Sequence, residues 1–162
     1  MGEIISTTQG ALASRALAFC SFRAGERLCG IDVLHVREVS TQVSSTPVPQ
    51  APVIIRGLVN LRSRIHLVAD LRPIFGMAPV ECTPDSRLVI LKENLGEGLG
   101  VLVDQVGDIV RVSPEQIEIS PDDVAQSGRI AHVVHGVCKL ENELMIIVDP
   151  VKLIAFIEAA IE

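Results

Sequence analysis

The chain has 162 residues, a net charge of −6, 48% hydrophobic residues, four Phe and no Trp or Tyr. That much apolar material can bury a core, which excludes disorder over most of the length. Phosphate grooves need clustered Lys and Arg, and single-strand sites need stacking rings, so nucleic acid is excluded as a partner and an anionic lipid surface is disfavoured. No apolar run approaches the roughly 20 residues that span a bilayer, and no basic segment opens the chain as in a signal peptide. The expectation is a cytoplasmic protein without direct membrane insertion, with residues 1–15 as a flexible leader and 16–156 as one domain.

Val, Ile and Leu dominate the aliphatics, a bias toward strands. Alternation and turn signals predict a first hairpin from Ala16–Arg23 and Glu26–Asp32 around Ala24-Gly25. That turn sets Cys20 opposite Cys29, at about 4.5–5.5 Å between Cα atoms, within disulfide reach. Val36-Arg37-Glu38-Val39 then alternates apolar and charged, one face for a barrel and one for a partner. Ile54–Leu61 and Arg64–Ala69 form a second hairpin, followed by a short helix over Leu71–Phe75 that Asp70 caps and Gly76 stops. Arg87–Glu93 and Leu99–Val106 repeat the first hairpin, with Asn94–Gly98 as the turn. His132–Leu140 and Glu143–Val148 repeat the second. A last helix runs from Pro150 to near Glu162, with Asp149 as cap and Pro150 at its first position. Its spacing puts Val151, Ile154, Ala155 and Glu158 on one face, expected to dock on a barrel.

The chain is written twice. Gly57–Phe75 (GLVNLRSRIHLVADLRPIF) aligns without a gap on Gly136–Ile154 (GVCKLENELMIIVDPVKLI), matching Gly57 with Gly136, Leu61 with Leu140 and Asp70 with Asp149. Upstream, Gly30-Ile31 matches Gly100-Val101, and Val36, Glu38 and Val39 match Val106, Asp108 and Ile109. The change of offset between these blocks places an insertion in Ser120–Gly128. The approximate halves are 16–80 and 87–156, with the helix over 150–162 packing back on the first. Neither half buries much core alone. Many short strands with regular turns imply barrels or a sandwich.

Candidate chemistry is sparse. His132-x-x-His135-x-x-Cys138 has a metal-ligand spacing, but on a strand successive side chains alternate and the three diverge. Cys20 and Cys29 offer a redox pair, and a redox- or metal-responsive regulator built on these residues is the alternative function. No Cys-x-x-Cys pair, nucleophile elbow or phosphate-cradling loop occurs, so no enzyme and no cofactor is read. Arg62 stands out at the second hairpin's turn, because its counterpart in the other copy is Glu141 and the fold does not require a cation there. A guanidinium with five donors suits a clamp on a partner.

These residues also carry a family resemblance. Ile31–Glu38 (IDVLHVRE), Pro49-x-Ala51-Pro52, the run Ile55–Arg62 (IRGLVNLR), Val68-Ala69-Asp70-Leu71, Gly100–Val106 (GVLVDQV) and Ile147-Val148-Asp149 resemble, in order and spacing, the signature of the CheW-like chemotaxis coupling proteins. The resemblance spans about residues 16 to 156. It implies an all-β fold of two five-stranded SH3-like barrels packed together. It also implies a scaffold that bridges methyl-accepting chemoreceptors and the regulatory domain of a CheA-type histidine kinase, in arrays that include other CheW-like proteins. By position, Val36, Glu38, Gly57 and Arg62 fall where the family contacts receptor or shapes that surface. The family's kinase contacts lie on exposed apolar barrel edges and carry over to no particular residue. Ser63 replaces the family's usual Gly after the Arg, so a turn that needs positive φ there is either strained or reshaped. His66 replaces an apolar residue and is expected to reach a barrel surface.

Overall fold

The computed structural model describes residues 16–93, 98–119 and 131–162. The leader 1–15, residues 94–97 of the expected Asn94–Gly98 turn and the insertion at Ser120–Gly128 lie outside the described residues. The first copy runs β1 (Leu17–Ala24), β2 (Arg27–Asp32), a 3-10 turn (Val33–His35), β3 (Val36–Ser40), β4 (Ile55–Leu61), β5 (Arg64–Asp70) and α1 (Leu71–Ile74). The second runs β6 (Arg87–Leu91), β7 (Leu99–Val103), β8 (Gln105–Val112), a 3-10 turn (Pro114–Gln116), β9 (Ile117–Glu118), β10 (Val134–Lys139), β11 (Leu144–Val148) and α2 (Pro150–Ile161).

The two sheets have the orders β8-β1-β2-β11-β10-β9 and β3-β6-β7-β5-β4. Each barrel therefore takes its first hairpin from one copy and its later strands from the other. The junctions are the parallel pairs β2 with β11 and β5 with β7. The barrel containing β1 is called the first here, and the one containing β6 the second.

This exchange explains why several strands read as continuous apolar runs. Leu88 and Ile90 point into the second barrel with Val59, Leu61, Val68 and Leu102. Their neighbours Val89 and Leu91 point the other way, into the largest core cluster with Phe22, Ile31, Val101, Leu71, Ile74, Leu153 and Ile157. Met145 and Ile147 likewise line the first barrel with Phe19, Val112 and Cys138, while Ile146 and Val148 join the shared core. A strand buried on both faces has no polar positions to alternate with.

A polar latch spans the exchange. Asp104, at the β7–β8 corner, accepts from the Gly25 amide at 2.5 Å and the Arg72 guanidinium at 2.8 Å. It thereby joins the β1–β2 turn, α1 and the second copy. The turn itself lies one residue later than the sequence pattern suggests. Gly25, at φ 63°, and Glu26 form it, so Ala24 pairs with Arg27. Cys20 then faces Ile31 and Cys29 faces Phe22, two residues out of register with one another. This corrects the expected opposition of the two thiols, and Cys20, Cys29, Cys82 and Cys138 are all free.

Two further expectations are corrected. His66 does not reach a barrel surface. It pairs with Val59, is 4% exposed and donates from Nδ1 to the Arg64 carbonyl, 3.2 Å away. The strand's pleat puts it on the same face as Val68, so it points into the barrel. In α2, Pro150, Leu153 and Ile157 are the buried residues, and Val151 is 59% exposed. The docking stripe is centred on the i, i+4 pair Leu153 and Ile157, with Ile154 of the expected face partly buried beside them, whereas Val151, Ala155 and Glu158 are exposed.

The two copies keep their symmetry at the caps and at one glycine. Asp70 accepts from the Arg72 amide, and Asp149 from those of Val151 and Lys152. A Cβ on Gly57 would lie 2.2 Å from the Thr46 carbonyl, and one on Gly136 would lie 2.5 Å from the Glu118 carbonyl. In each barrel a crossing strand passes this glycine: Thr46 bridges Leu58, and Glu118 of β9 pairs with Val137. Only a residue without a side chain lets the two backbones approach so closely.

Candidate functional site: the end of the second barrel

β4 and β5 are joined by Arg62 and Ser63, at φ 52° and 66°. Two central residues in the left-handed region define the type I′ geometry that matches strand twist, and Asn-Gly is its usual occupant. Arg and Ser pay for this in backbone strain, of order 1 kcal/mol per residue. Ser63 therefore does not reshape the turn.

Arg62 projects from that tip with its side chain 75% exposed, and its Nη1 lies 3.1 Å from Glu38 Oε2 on β3. Glu38 is less exposed, at 26%. The contact joins the second hairpin's tip to a strand more than twenty residues earlier. Val36 shares β3 with Glu38 and is half-buried against the shared core. Gly57 does not touch this pair. It lies near the start of β4 at φ 148°, under Thr46, and fixes the path of the strand that carries Arg62. Of the four residues singled out by resemblance, Glu38 and Arg62 are thus directly joined, Val36 shares a strand with Glu38, and Gly57 acts through the backbone. Along β3 the expected split of faces is irregular: Arg37 and Val39 are exposed, and a register shift against β6 falls between Val36 and Glu38.

Arg37, already read in the charged alternation of β3, and two residues that sequence reasoning missed, Arg64 and Glu93, complete the surface. Arg37 Nη1 lies 2.9 Å from Glu93 Oε1, and Arg64 also pairs with Glu93. The order Arg62–Glu38, then Arg37–Glu93–Arg64, wraps the barrel end with alternating charge. No periodicity marks Glu93, because it follows β6 and meets β3 and β5 only in the closed barrel. Such exposed pairs add little stability. Their chemical capacity is recognition, because the guanidiniums keep N–H donors facing solvent.

The alternative sites do not assemble. His132 stacks on Phe156 with ring centroids 6.1 Å apart, His135 is exposed, and Cys138 is fully buried inside the first barrel. Among the described residues no group of three His, Cys, Asp or Glu is placed to hold a metal. Burial pushes the Cys29 thiol up to about 12, and burial also raises those of Cys20 and Cys138. A thiol held neutral is a poor nucleophile.

A family model described as a CheW-like domain matches residues 18–158. The chain belongs to the CheW-like family. It is 30% identical to the chemotaxis protein CheW of Rhizobium meliloti (strain 1021), covering 80% of this chain and 81% of that one. It is 31% identical to the CheW of Treponema pallidum (strain Nichols), covering 82% and 79%. Among solved structures, the scaffolding protein TtCheW of Thermoanaerobacter tengcongensis superposes with a TM-score of 0.72 and 31% identity, covering 82% of this chain and 88% of that one. Family membership agrees with the two-barrel, nearly all-β architecture. No helix among the described residues is long and apolar enough to cross a membrane.

Proposed function

We propose that this protein is a non-catalytic chemotaxis coupling adaptor that joins methyl-accepting chemoreceptors to a CheA-type histidine kinase. On this reading it works in the cytoplasm, is recruited to membrane-associated receptor arrays, and meets other CheW-like proteins there. The observation that carries the site assignment is the Glu38–Arg62 pair, held 3.1 Å apart on a turn whose backbone pre-sets the direction of the arginine. Val36, Glu38 and Arg62 form the receptor-facing surface, and Gly57 shapes it. An ordered guanidinium loses less freedom on binding than one on a loose loop, so the strained turn favours recognition.

The test is kinase activity reconstituted with receptor and the variant Arg62→Ala. Loss of a charge-assisted hydrogen bond is worth about 1.5–3 kcal/mol, so receptor affinity falls roughly tenfold or more. Arg62 is exposed, so urea stability changes by less than about 0.5 kcal/mol. Normal coupling by a folded Arg62→Ala protein would remove the assignment.

A further inference from the structure

His66 is buried in the second barrel, next to the recognition pair. It lines a small cavity of about 10 Å³ together with Leu61, Ile90, Arg37, Glu38 and Arg62. Its one hydrogen bond among the described residues runs from Nδ1 to the Arg64 carbonyl at 3.2 Å. That bond places a proton on Nδ1, and in the neutral ring Nε2 is then an acceptor. Among the described residues no sealed side-chain nitrogen or oxygen lacks a partner, so Nε2 opens onto water-sized space. The wider cleft beside Arg64, Ile65, Glu93 and Gly98 meets His66 from its backbone side, where a Cβ on Gly98 would lie 3.5 Å from His66 Cα. The ring points into the barrel, as Leu61 and Ile90 do, and so faces the smaller cavity.

Glu38 lines the same cavity with spare capacity. Its Oε2 takes the Arg62 contact at 3.1 Å, and its Oε1 has no partner among the described residues. Nε2 and Oε1 are both acceptors and cannot bond each other. A water has two O–H donors to give them, and lone pairs to accept from the flanking guanidinium of Arg37 or Arg62. A polar cavity of roughly 10–15 Å³ with two to four partners holds one ordered water. We propose that one water occupies this cavity and donates to His66 Nε2 and Glu38 Oε1, which makes His66 a positioning residue for the Glu38–Arg62 pair. The bridge ties the carboxylate to the barrel interior while Arg62 holds it from outside. Glu38 then keeps one orientation, and the guanidinium it steers is preset for a partner. A valine at position 66 could not supply the acceptor. The role in recognition rests on the adaptor reading above, whereas the water does not.

A high-resolution crystal structure of the unaltered protein tests the bridge directly. The expected result is one water within about 3.2 Å of both His66 Nε2 and Glu38 Oε1. No water there, or one that leaves Glu38 untouched, would overturn the proposal. Two variants test the positioning role. His66→Val suits an interior that already holds Val59 and Val68, and it removes the acceptor. It is expected to weaken binding to the cytoplasmic tip of a methyl-accepting chemoreceptor about threefold to tenfold, the net weight of one hydrogen bond. His66→Gln brings a carbonyl oxygen near the Nε2 position and is expected to restore most of that loss. Unchanged binding in His66→Val, or an equal loss in both variants, would remove the positioning role. Arg62→Ala separates the two levels. If it weakens binding while His66→Val does not, the adaptor site stands and the role of His66 falls. If it binds normally, the pair's part in recognition falls and takes the positioning role with it, and the crystal structure alone decides the water.

Discussion

The two barrels follow one strand plan and diverge at their ends. The second barrel places Arg62 and Ser63 in its hairpin turn, where the first has Glu141 and Asn142. It also seats Arg56 beside a buried Asp70, where the first leaves His135 exposed beside a half-exposed Asp149. Duplication supplies the architecture to both, so residues that serve architecture recur: the crossing glycines, the aspartate caps and the apolar strand faces. Residues that differ between the copies are free of that duty. The comparison teaches that the cation at Arg62 is not a folding requirement, which is why we propose a recognition role for it.

The largest break in the symmetry is expected at the glycines. Gly57→Ala meets the Thr46 carbonyl and also leaves a residue at φ 148° that side chains rarely adopt. Clash and strain together cost on the order of 4 kcal/mol or more. Gly136→Ala meets the Glu118 carbonyl without the positive φ, and is expected to cost about half as much. Urea unfolding of the two variants compares them directly, and equal losses would show that the close approach alone sets both positions.

Thiol chemistry separates surface from barrel. Cys82 is exposed, whereas Cys29 titrates near 12 because burial disfavours the thiolate. At pH 8 the thiolate fraction of Cys29 falls about a thousandfold below that of an ordinary thiol, three pH units being three decades. Titration of the native protein with a thiol reagent should therefore count one fast group, and unfolding should release the rest. The unfolded thiol ionises near 9 and the folded one near 12, so the stability contributed by keeping Cys29 neutral is present below pH 9 and lost as pH rises toward 12.

The aspartate caps come next. Asp149→Ala loses an exposed cap, about 1 kcal/mol. Asp70→Ala also strips a partner from Arg56, and is expected to cost about 2–3 kcal/mol. Burial raises the Asp70 carboxyl above its ordinary value, more than Arg56 offsets. The folded state then holds that proton at a pH where the unfolded chain has released it. Stability from this group is accordingly present below the ordinary carboxylate value and falls as pH rises through the raised one. Asp70→Asn, which cannot ionise, should lose that slope in acid titration of stability.

The smallest expected effect is a gain. Ser63→Gly relieves a left-handed residue and should stabilise the protein by about 1 kcal/mol in thermal unfolding. An equivalent gain from Arg62→Gly, without loss of coupling, would break the link drawn between strain and recognition.

Much of the fold was legible in the strand text. Alternation and turns located the hairpins, and the Asp-Pro pair located the last helix within a residue. The misplaced first turn shows where local signals stop. Ala24-Gly25 and Gly25-Glu26 are equally good turns on paper, and only pairing against β8 and β11 selects the second. The last helix shows the same limit, because a sequence dense in aliphatics presents two apolar stripes and the barrel surface chooses between them. At the site, Arg62 was visible because the repeat exposed its asymmetry. Glu93 was not, since its partners Arg37 and Arg64 lie on two other strands.

By itself the sequence determined the duplication, the strand inventory, the caps and the glycines, because each depends on neighbours within a few residues or on a match between copies. Tertiary structure alone decided which copy's hairpin enters which barrel, the register of the cysteines, the burial of His66 and the meeting of Glu38 with Arg62. Those outcomes depend on packing between segments far apart in the chain. Strands such as β6, β7 and β11 have two apolar faces, so burial could be satisfied in more than one pairing, and the closed pair of barrels buries both faces at once.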